Sequence, residues 1–135
     1  MKTENRRKSR EQAFIILFEK SFNEEMSFDE ILKIAVESEI VEENQFMSDI
    51  LCQIENHGTE IDEEIKKNLK GWAMSRISKV SLALLRMAIC EMKYFDDIPV
   101  SVSINEAVEI CKIYGSDEDR SFVNGVLGSV SRSGD

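Results

Sequence analysis

Arg6, Arg7, Lys8 and Arg10 fall within five positions of one another near the start of the chain. With Lys2, and against the single Glu4, they give residues 1–10 a net charge of +4, while the rest carries −13 for a total of −9. Guanidinium groups meet phosphate oxygens by charge and by paired, parallel hydrogen bonds. A cationic segment on an acidic body therefore reads as a local anion-binding arm. The same residues would also serve as a solvated tail that keeps the first helix soluble. A second group with binding chemistry lies near the other end, in Asp119-Arg120-Ser121-Phe122-Val123-Asn124-Gly125. An aromatic ring beside an arginine and an amide offers stacking plus base-edge hydrogen bonding, the pairing that single-stranded RNA sites use. Phe122 stays open between that role and a place in the core. Asn124 followed by Gly125 is poor in helix propensity, which points to close packing or to a contact that needs the amide.

No catalytic arrangement emerges. His57 is the only histidine; it sits beside Gly58 at an expected helix end, with no nucleophile motif to use it. The acidic runs Glu60–Glu64 and Asp117–Asp119 open helices, where carboxylates suit the positive end of the dipole. Neither has the spacing of a calcium loop or another metal site. Gly125 and Gly128 lack the lysine and hydroxyl of a phosphate loop. Cys52, Cys90 and Cys111 are odd in number and far apart, each among apolar neighbours, and read as buried reduced thiols rather than disulfides or zinc ligands. A non-enzyme without metal or cofactor is expected.

The elements that must position these residues read as helices. One proline and six glycines are too few turn-formers for an all-β chain. No apolar run approaches the roughly 18 residues needed to cross a bilayer, and no secretory signal follows the basic start, so a cytoplasmic location is expected. Helix periodicity predicts a first helix over about 4–20, with Ala13, Phe14, Leu17 and Phe18 on one face. Its cations lie in the first turns, against the dipole. The Ser27–Glu30 capping box opens a second helix. A third runs from Asn44 to near Gly58, and a fourth opens at Thr59-Glu60-Ile61-Asp62. The fifth, about 78–95, is apolar almost all round, which places it at the centre. Its one polar strip, Lys79, Arg86 and Lys93, must reach solvent or find partners. Pro99 ends that segment. A capping box at Ser103–Glu106 opens the sixth helix, and Ser116-Asp117-Glu118 opens the last.

Three blocks of this sequence resemble the NusB family. They are Arg6-Arg7-Lys8-Ser9-Arg10-Glu11 leading to Leu17-Phe18, then Leu84-Leu85-Arg86-Met87-Ala88-Ile89-Cys90-Glu91, and finally Ile98-Pro99-Val100 through Ile104-Asn105-Glu106-Ala107-Val108-Glu109 to Phe122-Val123-Asn124-Gly125-Val126-Leu127. The resemblance covers nearly the whole chain, though residues 21–75 match mainly in pattern. It implies an all-α fold of about seven helices in two packed small bundles, about 1–75 and 76–135, within one RNA-binding domain. It also implies a role in bacterial transcription antitermination: binding boxA-like RNA of ribosomal operon leaders with the small-subunit ribosomal protein NusE, in an antitermination complex on RNA polymerase. The RNA surface it nominates is Arg6, Arg7, Arg10, Phe122 and Asn124, to which Lys2 and Arg120 add charge. The partner surface is Phe18, Arg76, Ser81 and Arg86. Two positions depart from the family pattern, Ser81 where many relatives are acidic and Phe18 where many carry tyrosine.

On this reading the arm and the last helix make one edge, with the arginines beside the Phe122 ring. Two rival readings remain: a protein-interaction module or homodimer that hides the RNA edge, and the RNA-recruiting domain of an rRNA-modifying enzyme.

Overall fold

The computed structural model describes residues 5–133. Its elements are α1 (Arg6–Phe22), α2 (Phe28–Glu37), α3 (Gln45–Lys67), a 3-10 turn (Met74–Arg76), α4 (Lys79–Tyr94), α5 (Val100–Tyr114) and α6 (Asp117–Arg132). The fold is all-α, and no described helix is long and apolar enough to cross a membrane. Local signals set most helix starts. The side chains of Asn5, Ser27, Asn44, Ser78 and Ser116 each accept a backbone N–H inside the first turn, satisfying donors that the helix itself leaves unpaired. Both Ser27–Glu30 and Ser116–Asp119 are complete capping boxes.

Helix α4 lies at the centre, with Leu84, Leu85, Ala88 and Ile89 fully buried. Cross-links fix the directions of its neighbours. Arg10 of α1 meets Glu91 near the end of α4, while Lys79 at its start donates to the Ser21 carbonyl near the end of α1; the two helices are antiparallel. Ser103 near the start of α5 also meets Glu91, and Asp119 at the start of α6 meets Ser78. So α5 runs back along α4, and α6 runs with it. The charged strip of α4 is fully partnered. Arg86 makes two 3.0 Å bonds to Asp62, Lys93 lies 3.6 Å from Glu64, and Lys79 also stands over the Phe22 ring.

The predicted break near Gly58 is present: the third and fourth helices are the two segments of α3, which meet at a kink where His57 leaves helical geometry (φ −125°, ψ 24°). The His57 ring stacks on Tyr94, with centroids 4.1 Å apart, and Asp62 of the second segment pairs with Arg86. Two expectations are corrected. First, α5 starts at Val100 with Pro99 as its cap residue. Ser103 therefore falls inside the first turns, where its hydroxyl faces Glu91. Second, Cys52 is exposed, while Cys90 and Cys111 are buried. Burial, reinforced by Glu91, pushes the Cys90 thiol up to about 12, so it stays protonated at neutral pH.

Candidate nucleic-acid interface

The start of α1 is built from the Asn5 cap, whose side chain accepts the Lys8 N–H at 3.1 Å. That fixes the first turn and projects Arg6, Arg7 and Lys8 outward. Arg6 lies 4.5 Å from the Phe46 ring centroid and 3.5 Å from Asp97. Arg7 donates to both oxygens of Glu106, at 2.9 and 2.7 Å. This hydrogen bonding raises Arg7 and lowers Glu106 relative to their ordinary values. Lys8 makes no ion pair among the described residues. Both arginines are exposed, so solvent and salt screen these pairs and a phosphate can compete with the carboxylates.

Arg10 leaves this set. It is 4% exposed and donates to both oxygens of Glu91, itself 1% exposed, at 2.8 and 3.0 Å. Ser103 Oγ donates to the same carboxylate at 2.9 Å, and Arg10 Nη1 lies 4.0 Å from Glu106. The guanidinium is a structural strut between α1, α4 and α5. Lys2 lies outside the described residues.

At the other end of α4, a groove of about 520 Å³ is lined by Trp72, Arg76, Ile77 and Phe122 over a floor of Ser81 and Asp119. Phe122 is half-buried, its ring 5.7 Å from that of Trp72 and tilted 58° to it. Arg76 is exposed and unpaired among the described residues, whereas Arg120 lies 3.2 Å from Asp117. Asp119 accepts the Ser78 and Ser81 hydroxyls at 2.8 and 3.1 Å, and the Ser116 N–H at 3.0 Å. Burial pushes its carboxyl up, but these donors together hold it below its ordinary value. Ser81 is only 1% exposed and its hydroxyl is committed to Asp119, so it presents little to a partner. Phe18 is half-buried between the Phe14 and Phe22 rings, and Arg86 is held by Asp62.

Asn124 is exposed, and a methyl group added at Gly125 would meet nothing within 4 Å. Close packing therefore does not explain the Asn-Gly pair, which leaves the outward amide and an open backbone. Gly125→Ala is expected to raise stability by about 0.5–1 kcal/mol, as a helix-interior glycine normally costs that much. Urea unfolding checks this, and a destabilised variant would mean that a side chain at position 125 meets a neighbour.

The expected adjacency of arginines and ring is also corrected. Arg10 is fixed at Glu91 and Asp119 at Ser78; thirteen residues at about 1.5 Å each separate these anchors by roughly 20 Å along α4. One strand can meet both groups only by running the length of that helix. Sequence reading missed Trp72, although the chain's one tryptophan standing directly after a glycine was a usable signal. A second groove, of about 840 Å³, contains none of the predicted site residues, and its Lys67 and Lys93 both turn to Glu64.

An all-helical body around α4, an arginine-fronted first helix and an aromatic groove at the far end define a small all-α protein with a candidate nucleic-acid surface. The NusB family model matches residues 7–132, and the chain belongs to that family. It is 41% identical over 126 residues to the transcription antitermination protein NusB of Listeria monocytogenes serotype 4b (strain CLIP80459), covering 93% of this chain and 95% of that one. Among solved structures it is similar to T. maritima NusB, with a TM-score of 0.84 and 32% identity over 98% of this chain and 93% of that one. It also shares the fold of a chain in a crystal structure of the antitermination factors NusB and NusE with dsRNA, with a TM-score of 0.85, 22% identity, and 96% and 97% covered.

Proposed function

We propose that this chain is a non-catalytic, cytoplasmic transcription antitermination factor. It binds boxA-like single-stranded RNA together with NusE, in a complex on RNA polymerase. One observation carries the RNA reading: Arg6, Arg7 and Lys8 project from the first turn of α1 on a body that is otherwise strongly acidic. The RNA path runs from this edge along the molecule to Phe122 and Asn124. Arg76, which the resemblance gave to the partner, lines the Phe122 groove and is assigned to RNA here. NusE docks near Phe18 and Arg86.

The test is RNA binding with boxA-like and scrambled oligonucleotides, with and without NusE, across a salt series. Three engaged phosphates give a log–log salt slope near −2, about −0.7 for each, so a fourfold rise in salt weakens binding roughly 20-fold. Arg7→Ala is expected to flatten the slope by about 0.7. Phe122→Ala is expected to cost about 1–3 kcal/mol in affinity and leave the slope alone. Equal binding of scrambled and boxA-like RNA in the presence of NusE would reject the reading.

A further inference from the structure

We propose that Trp72 is a second stacking platform for single-stranded RNA, so that the groove holds two successive unstacked bases, one on the indole and one on Phe122. This rests on the RNA-binding reading above and adds a residue to it. The first argument is placement. Leu69 is buried and anchors the end of the segment, and the Trp72 N–H donates back to its carbonyl at 3.2 Å. Between them Lys70 and Gly71 both take left-handed backbone angles, φ +48° and +93°. For a lysine that conformation is unfavourable, and strain of this kind collects where a side chain must be presented. The result is an indole left 55% exposed at the groove rather than folded into the core.

Geometry then favours RNA, on a lining that sets Arg76 against the carboxylates of Glu118 and Asp119. Rings tilted 58° to each other cannot both lie flat on one base, but each can take its own. A flexible single strand with splayed bases supplies two at different tilts. Lys70, two residues before Trp72, and Arg76, on the groove wall, enter no ion pair among the described residues, and so are available to phosphates. The groove carboxylate of Asp119 is already occupied by Ser78, Ser81 and Ser116. Glu118, also at the groove, can accept from a base amino group, as carboxylates do from cytosine.

Trp72 is the only tryptophan, so its fluorescence reports on this groove alone. Titrating the full chain with a boxA-like single-stranded RNA oligonucleotide is expected to quench that emission in step with binding. Trp72→Leu is expected to weaken RNA binding roughly 5- to 150-fold with the salt slope unchanged, and Trp72→Phe to restore most of the affinity. Unchanged emission on binding, together with wild-type affinity in Trp72→Leu while Arg7→Ala still weakens it, would overturn this proposal and leave the RNA reading standing. Failure of the wild-type chain to bind any single-stranded RNA, with or without NusE, would overturn both. A Trp72→Leu variant that loses affinity for NusE but not for RNA would assign the groove to the protein partner and also overturn it. Should Trp72→Leu fold poorly by circular dichroism, quenching of the wild type and binding by Trp72→Phe still decide the matter.

Discussion

Arg10→Met will unfold this protein far more easily than it will weaken any direct contact with RNA. The substitution leaves the Glu91 carboxylate buried, with Ser103 as its one remaining hydrogen-bond donor. Breaking a buried pair from one side costs about 3–5 kcal/mol. That is a large share of the roughly 5–15 kcal/mol by which domains are stable. Circular dichroism melting should show a fall of about 10–20 °C, taking roughly 3–4 °C per kcal/mol for a chain of this size. The intact pair itself contributes little net, because its desolvation cost nearly offsets its attraction. Replacing all three partners with apolar residues, Arg10→Met with Glu91→Leu and Ser103→Ala, should therefore recover most of the loss. A stable Arg10→Met variant with sharply weaker RNA binding would return Arg10 to the RNA surface.

The burial of Arg10 was in fact written in the sequence. Arg10, Ala13, Phe14 and Leu17 fall at offsets of 0, 3, 4 and 7, so the arginine shares the buried stripe of α1. Glu91 likewise falls one heptad after Leu84, on the core side of the most apolar helix. A cation on one buried stripe and a carboxylate on another call for each other. Reading the four N-terminal cations as one patch hid this, because charge counting ignores which way a helix faces. The helix start at Ser27 was legible because a capping box is local chemistry, while the same pattern at Ser103 misled because α5 has already begun at Val100. The break in α3 was legible at Gly58, next to the non-helical His57; the His57–Tyr94 stack was not, since it joins residues 37 positions apart. The distance between the arginines and Phe122 is a matter of topology. It follows once α1 is antiparallel to α4 and α6 parallel to it, and no segment read by itself contains that information.

Asp119 joins these levels, because one carboxylate caps α6, takes two hydroxyls from the start of α4 and floors the Trp72–Phe122 groove. Asp119→Ala removes half of the capping box and leaves the buried Ser81 hydroxyl without an acceptor. A lost cap costs about 0.5–2 kcal/mol and an unsatisfied buried donor about 1–3 kcal/mol, so a combined loss of about 1.5–5 kcal/mol at pH 7 is expected from urea unfolding. The loss should depend on pH with a definite sign. The folded carboxyl is held below its ordinary value, so its contribution is complete above the unfolded value of about 3.9 and fades as pH falls through the folded one. Wild type and Asp119→Ala should therefore converge in stability on acidification below about pH 4. Asp119→Asn retains an acceptor oxygen but no charge; it should lie between them and be flatter in the same range. A gap between wild type and alanine variant that stays constant from neutral pH into strong acid would mean that the ionised carboxylate is not what ties α6 to α4. The groove would then owe its shape to apolar packing under Phe122 alone.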